Sequence, residues 1–239
     1  MFSSSIPLWW PNGSRPCRQN SRWAGSLYEQ RRITVVLRIR RGDARETVSE
    51  KPRIGISACL LGEKVRHDGG HKRDLFVTEI LSRFVEWVPV CPEVEVGMGV
   101  PRETVRLVGN PSHPRVVADR SGKDWSRKME AYSRKRLKKL SSMNLSGYIL
   151  KKNSPSCGME RVKVYGKGGA PILKGRGLFA QSLMTALPLL PVEEEGRLND
   201  LALRENFIAR VCAYHRWQNS PGSVKSLRSL IKFHKNKHC

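Results

Sequence analysis

The sequence has no CxxC pair, no long apolar run and few acidic residues, and each shortage removes a class of function. Zinc ribbons and fingers are built on close-spaced ligand pairs, so they are excluded. The longest apolar stretches, "ITVVL" and "ALPLLPV", fall far short of the roughly 20 residues that span a bilayer, and "IPLWWP" is broken by prolines. Neither a membrane span nor an ordinary secretory signal is expected. The six cysteines, Cys17, Cys59, Cys91, Cys157, Cys212 and Cys239, are too few for a disulfide-built scaffold. Without a secretory context they point to a reducing, cytoplasmic setting. Aromatic residues are sparse, yet 39% hydrophobic and 27% charged residues over 239 positions match a soluble globular chain with one main domain.

The 21 acids face 44 lysines and arginines, a formal charge of +23. Residues 1 to 50 carry nine arginines, no lysine and four acids, and residues 219 to 239 carry five basic groups and no acid. More than half of the excess therefore lies between, much of it in "SRKMEAYSRKRLKK" at 126 to 139. Trp125, Met129, Tyr132 and Leu140 recur there near helical spacing, which predicts an amphipathic helix with a solvated basic face. Contact with a polyanion such as tRNA is the other reading of the same charge.

The arginine-rich, aperiodic stretch 1 to 49 reads as an extension outside the fold. From residue 50 to 218 the pattern is orderly. "RIGISACLLG" (53 to 62) is a β-type run ending in a turn, and the polar loop "EKVRHDGGHKRD" follows. Asp74 is placed to cap a helix through about Glu86 with Leu75, Ile80, Leu81 and Phe84 on its apolar face. The strand "VEWVPVCPE", a helix over 124 to 142 and the strand "GYILKK" come next. This alternation predicts an α/β fold with a mainly parallel sheet flanked by helices. The glycines of "GKGGAP" and "KGRG", 166 to 177, fit neither dinucleotide nor Walker spacing and read as a flexible loop. Further helices are expected over 177 to 187 and about 200 to 217, with "EEEGR" (193 to 197) as an acidic loop or helix entry without a metal. "NSPGS" reads as a linker before a helical pattern that stops at residue 239.

"NSPSCGM", residues 153 to 159, ends the strand "GYIL" and two lysines in a turn that presents a sulfur. Proline stops the chain from continuing as helix, and the glycine after the cysteine permits close backbone approach. Cys59 and Cys91 lie in comparable turns at the carboxyl ends of predicted strands. In open α/β sheets that edge gathers residues remote in sequence. By spacing alone, the three read equally as small hydrophobes or as metal ligands.

The segments "ISACLLGEKVRHDGGHKRD", "VPVCPEVEVGMGVPRETVRLV", "YILKKNSPSCGMERVKVY" and "PVEEEGRLNDLALRENFIARV" resemble the thiouracil desulfurase family from about Arg53 to Trp217. The resemblance implies a [4Fe-4S] cluster held by three cysteines, which map onto Cys59, Cys91 and Cys157. It implies desulfuration of a thiolated pyrimidine or related thioamide without net redox, with proton transfer on Glu93 and Ser154. Asp68, His71, Arg102 and Arg106 flank these motifs; they are candidates to orient a heterocycle or phosphate, or to cap turns and pair with acids. Two other functions stay open at this point: cluster-dependent thio-modification or editing of a tRNA or nucleotide, and a non-catalytic metal-binding module. The tail "LIKFHKNKH" resembles the opening of a YbgA-type companion domain.

Overall fold

The computed structural model describes residues 51–166, 168 and 170–219. The expected extension at 1 to 49, and the linker and companion-domain helix after Asn219, lie outside them.

Four strands form a fully parallel sheet: β1 (Arg53–Ser57), β2 (Glu86–Val90), β5 (Leu145–Leu150) and β8 (Val192–Glu194), in the order β2-β1-β5-β8. Its central strands are buried on both faces. Ile54 and Ile56 of β1 and every residue of β5 are shielded from solvent, as expected of a parallel sheet covered by helices. Helices α2 (Ser126–Ser141) and α3 (Leu178–Ala186) pack together, with Leu137, Leu140, Phe179 and Leu183 in a cluster that includes Tyr148 and Leu150 of β5. Phe207 and Val211 of α4 (Leu201–Asn219) join Ile54, Ile56 and Ile149 in another. The basic helix is amphipathic as its spacing predicts: Met129, Ser133 and Leu140 are fully buried, while Arg127, Lys128, Arg134, Lys135, Lys138 and Lys139 face solvent.

A second sheet, not anticipated from the sequence, has the order β4-β3-β6-β7. It comprises β3 (Val105–Asn110), β4 (His113–Ala118), β6 (Val162–Tyr165) and β7 (Pro171–Gly175). β3 runs antiparallel to β4 and parallel to β6, and β6 and β7 form an antiparallel pair. The architecture is α/β, with one parallel sheet, one mixed sheet and flanking helices.

Three local expectations are corrected. Asp74 does cap a helix, its Oδ1 accepting the Val77 N–H at 3.0 Å. That segment, however, is a wide-turned helix over Phe76–Ile80 tightening to a 3₁₀ turn over Leu81–Arg83. The altered turn brings Val77 and Leu81 inward and leaves Leu75 68% exposed. Part of the expected glycine loop, Pro171–Gly175, is strand β7, paired to β6 at a sheet edge where Ile172 and Leu173 remain exposed. The acidic run is part strand: Glu193 and Glu194 lie in buried β8, and Glu195, also buried, begins the turn that enters a 3₁₀ helix over Arg197–Asn199. Arg197 pairs with Glu193 at 2.7 Å, the Met159 N–H donates to Glu194 at 2.7 Å, and Lys151 pairs with Glu195 at 2.6 Å. Buried carboxylates persist where such partners converge. Among the described residues no helix is long and apolar enough to cross a membrane.

Candidate active site

Adjacent parallel strands β2, β1 and β5 deliver the three cysteines to one edge of the sheet. Cys59 sits in a 3₁₀ turn, Ala58–Leu61, directly after β1, and Cys91 immediately follows β2 and precedes the short helix α1 (Pro92–Glu95). Cys157 lies in the turn beyond β5. All three line one cavity of about 320 Å³, together with Glu93, Ser154, Arg102, His67, Lys151 and Lys152.

Interlocking hydrogen bonds hold the turn at 153 to 158. Ser154 Oγ accepts the N–H groups of Ser156 at 3.2 Å and Cys157 at 3.1 Å, and Ser154 O accepts that of Gly158 at 2.8 Å. The Gly177 N–H donates to Gly158 O at 2.8 Å, seating the start of α3 on the turn. A methyl group on Gly177 would meet the Ser156 carbonyl at 2.5 Å, and one on Gly158 would meet Ser154 O at 2.8 Å. Both glycines are needed for this close approach.

Glu93 is fixed from two sides. Its Oε2 accepts from Arg102 Nη2 at 2.6 Å and Nε at 3.2 Å, a pair whose side chains are only 15% and 6% exposed, respectively. Its Oε1 accepts from Ser156 Oγ at 3.0 Å and more loosely from Ser154 Oγ at 3.5 Å. Ser156 is fully buried and anchors the carboxylate, whereas Ser154 faces the cavity. Arg102 Nη1 also donates to Val65 O at 3.0 Å, and Cys91 Sγ lies 3.8 Å from that same carbonyl oxygen.

The thiols are set to resist ionisation while they carry protons. Burial pushes Cys59 up to about 11, with Cys91 adding to the rise. Burial also raises Cys91. Cys157 is held well above the ordinary thiol range by burial; a hydrogen bond from Ser57 opposes this, and Glu93, Cys91 and Cys59 reinforce it. A bound cationic group would offset both the desolvation and the mutual repulsion. Among the described residues no three His, Cys, Asp or Glu side chains gather around a single-ion position. Cys59, Cys91 and Cys157 nevertheless line one cavity, and three soft sulfur donors are the ligand type that iron–sulfur clusters take.

Asp68 and His71 are not among the cavity-lining residues. Asp68 is exposed, pairs with Arg66 at 3.1 Å and accepts the Gly70 N–H; His71 is exposed and accepts the Arg73 N–H through Nδ1 at 3.2 Å. Arg106 pairs with Asp119 at 3.2 Å and lies over the Tyr165 ring, also outside the cavity lining. Arg102, by contrast, is at the centre. Ser57, His67, Ser156 and the Lys151–Glu195 pair went unread as site elements; the serine spacing in "SPSC" was the available signal for Ser156.

Comparison with known proteins gives the same motifs a context. The profile of the 2-thiouracil desulfurase family matches residues 54–195. The uncharacterized protein YbbK of Bacillus subtilis (strain 168) is 28% identical over 151 residues, spanning 61% of this chain and 97% of its own. Among solved structures, the [4Fe-4S]-dependent thiouracil desulfidase TudS is 27% identical, with a TM-score of 0.50, covering 65% of this chain and 99% of that one. The profile takes in more than half of the sequence and all three cysteine turns, and on that match the chain belongs to the 2-thiouracil desulfurase family.

Proposed function

We propose that this protein desulfurates a small heterocycle of the 2-thiouracil type, a thiolated pyrimidine or related thioamide. Water replaces the thiocarbonyl sulfur, so that C=S and H₂O become C=O and H₂S with no change in oxidation state. The observation that carries this reading is one cavity lined by Cys59, Cys91, Cys157, Glu93 and Ser154. Family membership and the likeness to an enzyme described as [4Fe-4S]-dependent support it.

Cys59, Cys91 and Cys157 would hold the cluster. When bound, a cluster with three protein thiolates supplies an iron without a protein ligand, a Lewis acid soft enough to polarise a thiocarbonyl. The protein's own groups handle the protons. Arg102 places both its Nε and Nη2 donors on Glu93 Oε2, while Oε1, held firmly by Ser156 and only loosely by Ser154, takes a proton from the attacking water on the Ser154 side. Two backbone N–H groups occupy the acceptor side of Ser154 Oγ, so its own hydrogen points outward. The loose 3.5 Å contact with Glu93 lets that hydroxyl swing between the carboxylate and the substrate, relaying a proton to the departing sulfur. Cys59, Cys91 and Lys151 converge from three separate strand ends, so substrate chemistry is confined to the carboxyl edge of the parallel sheet.

The test is anaerobic reconstitution with iron and sulfide, then incubation with 2-thiouracil while uracil and sulfide are measured. Equal amounts of both products are expected, lost in Cys157→Ala and strongly reduced in Glu93→Gln. A reconstituted cluster that yields neither product would overturn the reading.

A further inference from the structure

His67 lines the cysteine cavity, yet its Nδ1 is closed off from solvent and has no hydrogen-bond partner. The residue is not loosely placed. Its carbonyl oxygen accepts the Arg102 N–H at 2.9 Å, and two residues earlier Val65 O accepts Arg102 Nη1 at 3.0 Å. The segment from 65 to 67 is therefore clamped to the arginine that orients Glu93.

A buried N–H without an acceptor is costlier than a buried lone pair, because the donor gives up its bond to water and gains nothing. Of the two imidazole tautomers, one puts its N–H at closed-off Nδ1 and the other puts it at Nε2. With Nδ1 sealed, Nε2 is the ring nitrogen left to bond a ligand in the cavity that His67 lines. We infer that His67 is a specificity residue: it is held as the Nε2–H tautomer and donates to the ring carbonyl of an oxo-type thiopyrimidine, against an amino-type one. Resting on the desulfuration reading, this narrows the substrate class to thiouracil-like bases. A thiocytosine-like base carries an amino donor where thiouracil carries a carbonyl acceptor. Switching tautomer to receive that donor would place an N–H at Nδ1 with nothing to accept it. A site built to hydrogen-bond one group discriminates strongly against an analogue that leaves a polar group unpaired.

Two measurements test this on the full-length protein. Nitrogen-15 NMR of histidine-labelled protein, with the His67 signal assigned by its loss in His67→Phe, is expected to show the Nε2–H tautomer; the Nδ1–H tautomer overturns the inference. Loaded wild-type enzyme is expected to favour 2-thiouracil over 2-thiocytosine in kcat/KM. In His67→Phe that preference should shrink by roughly tenfold or more, with the cluster absorbance unchanged. Should the phenylalanine variant not load, His67→Asn, whose amide both donates and accepts, is expected to load and to lose the preference. Failure of both to load assigns His67 a structural role and overturns the inference. Absence of turnover on either base by loaded wild type sinks the desulfuration reading, and this role with it. Turnover with an unchanged preference in the variants sinks this role alone.

Discussion

Two polar loops meet at the same edge of the parallel sheet and spend their hydrogen bonds differently. Tied outward at His67 O by the Arg102 N–H and at the Lys72 N–H by Cys59 O, the loop around residues 66 to 73 closes on itself between and around these points: Arg66 N–H to Gly70 O, Gly69 N–H to Arg66 O, Gly70 N–H to Asp68, and Arg73 N–H to His71. The turn at 153 to 158 is tied outward, to Glu93 through two serines and to the start of α3 through Gly158 and Leu178. Local bonds shape a surface; bonds to distant elements hold a side chain where chemistry can use it. Asp68 and His71 belong to the first arrangement, Ser154 and Cys157 to the second.

Breaking the outward ties should have the largest effect. Arg102→Ala leaves the Glu93 carboxylate unpaired in a largely buried place, at a cost of about 3–5 kcal/mol in stability. It should also lower kcat/KM about a hundredfold by freeing the proton-handling group. Denaturant titration and steady-state rates measure the two losses. Arg102→Lys keeps the charge but not the planar fork, so it should fall between alanine and wild type. Wild-type rates in Arg102→Ala would show that the clamp on Glu93 is idle.

Gly177→Ala acts on the other tie. Its methyl group must displace the Ser156 carbonyl, an overpacking expected to cost about 1–3 kcal/mol and to lower cluster loading per protein, read by iron content. Unchanged stability would mean that α3 slides freely on the turn. The smallest effects are expected from Asp68→Asn and His71→Ala, which should leave Tm and kcat/KM close to wild type. A selective rise in KM would instead reveal that their loop closes over bound substrate.

The cysteine positions were legible because a strand end followed by a breaker is a local pattern, and parallel topology then brings such ends together. Gly158 was legible for the same reason. Arg102 was visible only as one of several flanking charges, since its choice of Glu93 depends on how the chain between α1 and β3 folds back. The acidic run, read as loop or helix entry, begins in β8 because that segment pairs with β5, while Arg197, Lys151 and the Met159 amide reach its carboxylates from elsewhere. The second sheet escaped notice for another reason: β3 and β7 are short, with mixed or exposed faces, so their alternation is faint.

The hydrogen bond between Gly158 and Gly177 has a practical corollary. The β6–β7 hairpin leaves the cysteine turn and returns to it at a pinched neck, so the far ends of its strands, Tyr165 and Pro171, are set off from the sulfur ligands by the length of the hairpin. An affinity handle attached beside Tyr165 or Pro171 is therefore expected to leave cluster loading unperturbed.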